Sequence, residues 1–503
     1  MRKFWKKYHK WVGLFFSFFI LMFCLSGIVL NHRKTFAGWE VSRSWMPDGY
    51  QYENYDNGII KGTQVLTDGK VLIYGNAGVW LTDSCLSSFK TYNQGLKEGL
   101  DHRKISNIVV MPDQSMWCAG LYDFYRHDGN QWQLQPLPEN DERIADITNR
   151  NDTLVVLTRS YIFEATAPYN QFKRYELKVP AHYSPKVSMF RTVWLLHSGE
   201  LFGLPGQLFV DAIALVIAIL CITGLIYSFL PKWIKKRKKA KKDTKQAVQT
   251  LKTSTKWHNK LGTWLIIPTV LLAITGACLR PPLMIPFAIT SVKPLPGSTL
   301  DAENVWHNKF RGIRWDARLQ KWLLSTSGGF YQCADFNAVP VPVKGAPPVS
   351  PMGINVFHET PAGEWLVGSF SGLFQWNPVT NTLVDFMNNK PYMPSRGRFF
   401  GTVTASGYSD DLSFDKDVIF DYSDGIRTKE KVLQLTSMPE ELKQQGMSLW
   451  NFALELHVGR CYSPFLGPVS DLFVFLAGML LTFTLISGYI LRPGRKKKTK
   501  KLQ

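Results

Sequence analysis

Lys7-Tyr8-His9-Lys10-Trp11-Val12-Gly13 and Lys256-Trp257-His258-Asn259-Lys260-Leu261-Gly262 are two copies of one stretch, a basic aromatic run whose histidine opens onto an apolar segment. In each copy a hydroxyl–glycine pair follows the histidine by 17 residues, as Ser26-Gly27 and Thr275-Gly276. A second matched pair lies farther along. Leu196-His197-Ser198-Gly199 and Leu456-His457-Val458-Gly459 each introduce another apolar segment, and these end Ile222-Thr223-Gly224 and Ile486-Ser487-Gly488. The histidine-to-hydroxyl distances are 26 and 30 residues, a difference near one helical turn, which keeps the face roughly unchanged. The chain reads as a tandem duplication.

The four apolar segments, Val12–Leu30, Leu208–Leu230, Leu261–Leu279 and Val469–Leu491, run 19 to 23 residues. That is enough to cross a hydrocarbon core of about 30 Å at about 1.5 Å per residue. None carries a charge in its middle; Asp211 and Asp471 lie near span ends. The first follows the basic start Met1-Arg2-Lys3, but it is long for a signal peptide and lacks a small-x-small cleavage site, so an uncleaved anchor is expected. The expected architecture is an α-helical membrane bundle of four transmembrane helices in a 2+2 repeat, with large β-rich extracytoplasmic insertions. In order, residues 1–11 form a cytoplasmic N-terminus, 12–30 the first span, 31–207 a periplasmic β-rich segment and 208–230 the second span. Residues 231–260 form a basic linker, 261–279 the third span, 280–468 a second periplasmic β-rich segment, 469–491 the fourth span and 492–503 a basic tail.

Orientation follows from positive charge. Residues 1–11 hold five Lys/Arg, Lys232–Lys256 holds eleven against the single acid Asp243, and the tail from Arg492 holds seven. Together these 23 exceed the formal net charge of +20, so the remainder is close to neutral. A multi-pass protein of a bacterial inner membrane is expected, with both termini and the linker cytoplasmic and anionic lipid as the contact. A nucleic-acid partner is excluded, because no aromatic-basic recognition surface accompanies the runs.

Four of the ten histidines occupy duplicated positions at span ends, His9 and His258 at one edge, His197 and His457 at the other. A pseudo-two-fold along the membrane normal would face each against its counterpart across the bundle. That arrangement supplies one neutral imidazole to each side of a haem iron. Two pairs at opposite depths give two b-type haems, since no CxxCH motif for covalent attachment occurs. About 25 Å would separate the two tiers, from roughly 17 residues of helix. The competing reading is that such histidines are interfacial anchors like Tyr8, Trp11, Trp257 and Trp264. His32 aligns with Pro281 and is a substitute ligand or a loop residue. The Ser/Thr-Gly pairs are read as small residues that permit close helix approach.

This pattern of His-x-x-x-Gly, a span ending Ser/Thr-Gly, a large insertion, then Leu-His-x-Gly and another such span resembles the PepSY-associated transmembrane family. The resemblance covers all four helices, about a third of the chain. Some members are haem-containing ferric-siderophore reductases of the bacterial inner membrane. It implies that His9, His258, His197 and His457 bind haem and that a periplasmic ferric chelate is reduced, releasing iron as the ferrous ion. The outer segments show no clear PepSY domain, so the substrate does not follow from the resemblance.

Those outer segments read as short aromatic strands broken by Gly, Asp and Asn turns, in units such as Asp68–Trp80, Asp113–Tyr125, Arg318–Tyr331 and Pro361–Trp376. Trp322 and Trp365 lie 43 residues apart, a propeller-blade spacing, and about three units in each segment would complete one propeller. A pair of β-sandwiches is the alternative. The turn Arg396-Gly397-Arg398-Phe399-Phe400 is a possible carboxylate contact. Cys24, Cys221 and Cys278 fall in spans; Cys85, Cys118, Cys333 and Cys461 fall outside, where disulfides are permitted. There is no GxGxxG opening a helix, no GxxxxGK[ST], no HExxH and no GxSxG. An electron-transfer protein of this kind takes electrons from outside itself, from quinol or a flavin reductase. The rival function is a non-catalytic membrane sensor or assembly protein with a ligand-binding β-rich domain.

Overall fold

The computed structural model describes residues 2–138, 143–348, 350, 353–393, 401, 403–435 and 438–492. The chain forms two compact units. One is helical and comprises Met1–Arg33, Pro185–Ala302 and Trp450–Gln503; the other is β-rich and comprises Lys34–Ser184 and Glu303–Leu449.

The helical unit is built on α1 (Arg2–Asn31), α2 (Met189–Ser198), α3 (Gly203–Lys239), α4 (Lys245–Trp264), α5 (Ile266–Cys278), α6 (Leu449–Val458) and α7 (Ser470–Leu491). Among the described residues, three helices are long and apolar enough to cross a membrane, and a fourth span arises if α4 and α5 count as one. Helix α1 packs on α3 and α7, α7 on α5, and α3 on α4. Small residues allow these approaches: Ala214 and Ala218 sit with Ile20, Cys24, Ile213 and Ile217 in one apolar cluster. Phe15, Phe18 and Ile267 stay exposed on the outside of the unit, as side chains facing lipid would.

Three boundaries differ from the sequence reading. The third span was expected as one segment over 261–279, yet α4 and α5 meet at a 72° bend around Leu265. Pro268 has no amide to donate to the Trp264 carbonyl, so the helix breaks just before it. The first two helices extend beyond 12–30 and 208–230, because the basic flanks of each continue the helix. Helices α2 and α6 were assigned to the β-rich segments 31–207 and 280–468, but they belong to the helical unit. At ten residues each they are too short to register as spans. Ser188 caps α2 by accepting from Arg191 N at 3.2 Å. Gly199 and Gly459, both at φ +81°, close α2 and α6 in the left-handed conformation that glycine adopts without strain.

Among the described residues, the β-rich unit holds six antiparallel meanders, over residues 62–91, 107–135, 144–175, 310–342, 356–391 and 405–427. The sequence units Asp68–Trp80, Asp113–Tyr125, Arg318–Tyr331 and Pro361–Trp376 each fall on the two middle strands of a meander. The first of the two is buried on both faces in Val71–Gly75, Met116–Ala119 and Trp365–Ser369, because each sheet packs against two others. Apolar clusters join the first sheet to the second through Leu72 and Ile108, and the second to the third through Trp117 and Val156. Further clusters join the third to the fourth through Leu157 and Trp322, and the fourth to the fifth through Phe330 and Trp376. The fifth meets the sixth through Leu366 and Ile419, and the sixth returns to the first through Phe420 and Ile73. A buried bond from Trp365 Nε1 to Asp316 Oδ2, 2.8 Å long, adds a polar tie between the fourth and fifth. All seven cysteines are free thiols. The turn Arg396-Gly397-Arg398-Phe399-Phe400 lies outside the described residues.

Candidate functional site

The helical unit brings the four duplicated histidines together in two pairs. His9 on α1 faces His258 on α4 with ring centres 6.1 Å apart and planes at 78°. His197 on α2 faces His457 on α6 with ring centres 6.2 Å apart and planes at 51°. All four imidazoles are half-buried.

Every one of them is held by the same device. His457 Nδ1 lies 2.9 Å from Ser26 Oγ, and His197 Nδ1 lies 3.1 Å from Thr275 Oγ1. His258 Nδ1 lies 2.9 Å from Thr223 Oγ1, and His9 Nδ1 lies 3.1 Å from Ser487 Oγ. Each hydroxyl already donates to a carbonyl of its own helix: Ser26 to Met22, Thr275 to Leu271, Thr223 to Ile219 and Ser487 to Thr484. A hydroxyl has one proton, so toward the imidazole it can only accept, and Nδ1 must be the donor. Carbonyls reinforce this, since Leu272 O lies 3.2 Å from His197 Nδ1 and Thr484 O lies 3.0 Å from His9 Nδ1. The network therefore fixes the Nδ1–H tautomer and leaves the Nε2 lone pair unused. Among the described residues, none of the four Nε2 atoms makes a hydrogen bond.

The glycine after each hydroxyl is the other half of the seat. A Cβ on Gly276 would stand 2.8 Å from His197 Cε1, and one on Gly488 would stand 2.9 Å from His9 Cε1. The corresponding values are 3.3 Å at Gly27 against His457 and 3.6 Å at Gly224 against His258. The Ser/Thr-Gly pairs, expected from sequence to permit close helix packing, also seat the imidazoles. Their constant offset from the histidines was the available signal. The partners could not be read, because each histidine is seated by the opposite half of the duplication.

Ring centres about 6 Å apart fall within the ordinary range for aromatic pairs, so distance alone decides nothing. The distance would also leave room for one metal atom if the two Nε2 atoms face each other. A five-membered ring with bonds of about 1.33 Å has a radius of about 1.1 Å, and a metal–imidazole bond is about 2.0 Å. Two such imidazoles in line on one metal atom put their ring centres about 6.2 Å apart, and turning either ring about that axis leaves the distance unchanged. Nδ1 bonded to protein and Nε2 free is also the state in which histidine ligates. Among the described residues no group of three or more His, Cys, Asp or Glu could hold a bare metal ion. Two-histidine sites suit a metal whose other positions are filled by a macrocycle.

His32 is not brought to either pair. Its Nε2 lies 2.6 Å from Asp211 Oδ2, and Asn31 Nδ2 donates to the other oxygen of that carboxylate at 2.8 Å. His32 Nε2 is therefore engaged by a carboxylate. His102 and His358 sit in the β-rich unit beside Asp123 and Asp410.

A family model of the PepSY-associated TM region matches the chain twice, over residues 1–230 and 229–495, so each half carries one copy and the chain belongs to that family. No curated protein matches. Among solved structures, the extracellular domain of the hybrid two-component system BT4673 from B. thetaiotaomicron is similar at 9% identity and a TM-score of 0.36, covering 73% of this chain and 32% of that one. That of BT3049 from the same organism is similar at 11% identity and a TM-score of 0.33, covering 75% and 40%. The chain thus spans about a third of the length of the solved structures it matches.

Proposed function

We propose that this member of the PepSY-associated TM family holds two b-type haems, one between His9 and His258 and one between His197 and His457, and passes electrons through the membrane. The observation that carries the reading is the shared geometry of the two pairs. In both, Nδ1 is committed to a hydroxyl, Nε2 is free, and ring centres stand 6.1 or 6.2 Å apart. A bis-imidazole haem supplies a reversible one-electron carrier. The chain's own residues do the rest. Ser26, Thr223, Thr275 and Ser487 hold the Nδ1 proton, which orients each ring and raises its basicity. Gly27, Gly224, Gly276 and Gly488 keep helix backbone close without a side chain in the way.

The basic termini and linker favour a bacterial inner membrane with both termini in the cytoplasm. The net reaction is then oxidation of one quinol, or of the reduced flavin of a flavin-reductase donor, with release of its protons, while its two electrons pass singly to two periplasmic ferric chelates of the siderophore class, whose iron becomes ferrous. The β-rich unit, whose sheets share apolar clusters, is the part large enough to bind such an acceptor. Purified protein in liposomes tests the reading, with a reductant enclosed and a ferric chelate plus a ferrous-specific dye outside. Colour should develop in wild type and fall to background in His258→Ala; equal rates in the two would contradict it.

A second reading is favoured by the size of the β-rich unit. A non-catalytic sensor or assembly protein would bind a ligand there and use its helices as an anchor, and it requires no electron transfer in that assay.

A further inference from the structure

The two halves of the duplication differ in charge at a matched position beyond the first hydroxyl–glycine pair. Asn31 and Arg280 each lie 22 residues after the first histidine of their half, and Asp211 and Asp471 each lie 14 residues after the second. In the first half this position is a neutral amide with its donors saturated: Asn31 donates to Asp211 at 2.8 Å and to Ser198 O at 3.0 Å, and His32 Nε2 faces the other oxygen of that carboxylate. In the second half it is a cation with donors to spare. Among the described residues, Arg280 Nε and Nη2 are buried and make no hydrogen bond, and Nη2 reaches only one long ion pair. The closest acid, Asp471, stands at 3.5 Å and is 59% exposed, against 17% for Arg280. Glu455 is committed to Arg460, whose Nε donates to it at 2.9 Å. Arg280 follows Gly276 by four residues, one turn beyond the seat of His197.

We propose that Arg280 is the seat for a carboxylate of the planar ligand held between His197 and His457, a proposal that rests on the haem reading above. A guanidinium presents a planar fork that matches a carboxylate in two parallel hydrogen bonds, and buried N–H groups without partners call for such an acceptor. Haem carries two carboxylates on one edge. The asymmetry between the halves then gives the ligand of this pair a preferred orientation, with its carboxylate edge toward Arg280.

The test uses full-length protein in nanodiscs of neutral lipid, as wild type, Arg280→Leu and Arg280→Lys. Haem loss to an apomyoglobin scavenger and the redox titration of the difference spectrum are read together. For Arg280→Leu, one of the two haems should leave about tenfold faster, with its midpoint shifted to lower potential. The other haem should behave as in wild type, which also reports that the variant has folded. Arg280→Lys, a point charge rather than a fork, should fall between. Unchanged kinetics and midpoints in a wild-type-like two-haem protein would overturn the arginine assignment alone. Wild type without haem would overturn the reading beneath it. An effect of Arg280→Leu seen only when anionic lipid is present would mean that a lipid phosphate occupies the fork, which overturns the proposal.

Discussion

Ser26 Oγ lies 2.9 Å from His457 Nδ1, although 431 residues separate the two in the chain. The reciprocal contact joins His197 of the first half to Thr275 of the second at 3.1 Å. Each half of the duplication seats the other half's imidazoles, so neither half can build a pair alone.

Replacing Ser26 with alanine removes the acceptor facing His457 Nδ1 while leaving the helix intact. One hydrogen bond of about 1 kcal/mol is lost, and the ring is free to change tautomer. Haem affinity at this pair should fall about tenfold, with the other pair unaffected. Scavenger-transfer kinetics measure it; Ser26→Thr should restore wild-type behaviour.

The glycines offer a graded series. Ala at Gly276 or Gly488 places a Cβ 2.8 or 2.9 Å from an imidazole carbon, so something must shift; at Gly224 the distance is 3.6 Å, an ordinary contact. Gly276→Ala and Gly488→Ala should each cost the protein one haem. Gly224→Ala should keep both, and gain about 0.5–1 kcal/mol of helix stability. A pyridine haemochromogen count on the three variants checks the order.

In the β-rich unit, Trp365 is 2% exposed and donates to the buried Asp316. Trp365→Ala should destabilise that unit by about 3–5 kcal/mol through the cavity it leaves. Trp365→Phe should cost about 1–3 kcal/mol, because it mainly strands a buried acceptor. Urea unfolding followed by near-ultraviolet circular dichroism separates the two.

Asp123 carries a pH dependence. Burial raises its pKa, but hydrogen bonds and charge from His102 and Lys97 outweigh burial and hold the carboxyl below its ordinary value. A depressed folded-state pKa stabilises above the unfolded value of about 3.9 and loses that contribution as pH falls through the folded one. Asp123→Asn should therefore be less stable than wild type at pH 7, with the gap narrowing below about pH 4. Thermal unfolding across pH 3 to 7 reads it.

The duplicated histidines, the hydroxyl–glycine pairs and the aromatic hairpins were all legible in the sequence, because each is a local pattern that recurs. The mates of the hydroxyls were not, since Ser26 and His457 become neighbours only through the packing of α1 and α6. Pro268 marked the break at Leu265, but a continuous apolar run concealed it. His32 looked like a spare ligand because its partner Asp211 lies 179 residues away. The asymmetry between Asn31 and Arg280 was present in the aligned halves and gained meaning only from the buried guanidinium donors that make no hydrogen bond among the described residues.

The most direct test is the oxidised-minus-reduced absorption spectrum of the detergent-purified protein, with a pyridine haemochromogen count. Two low-spin b-type haems per chain are predicted, falling to one in His258→Ala and to one in His457→Ala. A colourless protein from haem-replete cells would contradict the account, and the four histidines would then be hydrogen-bonded helix contacts in a membrane-anchored β-rich protein.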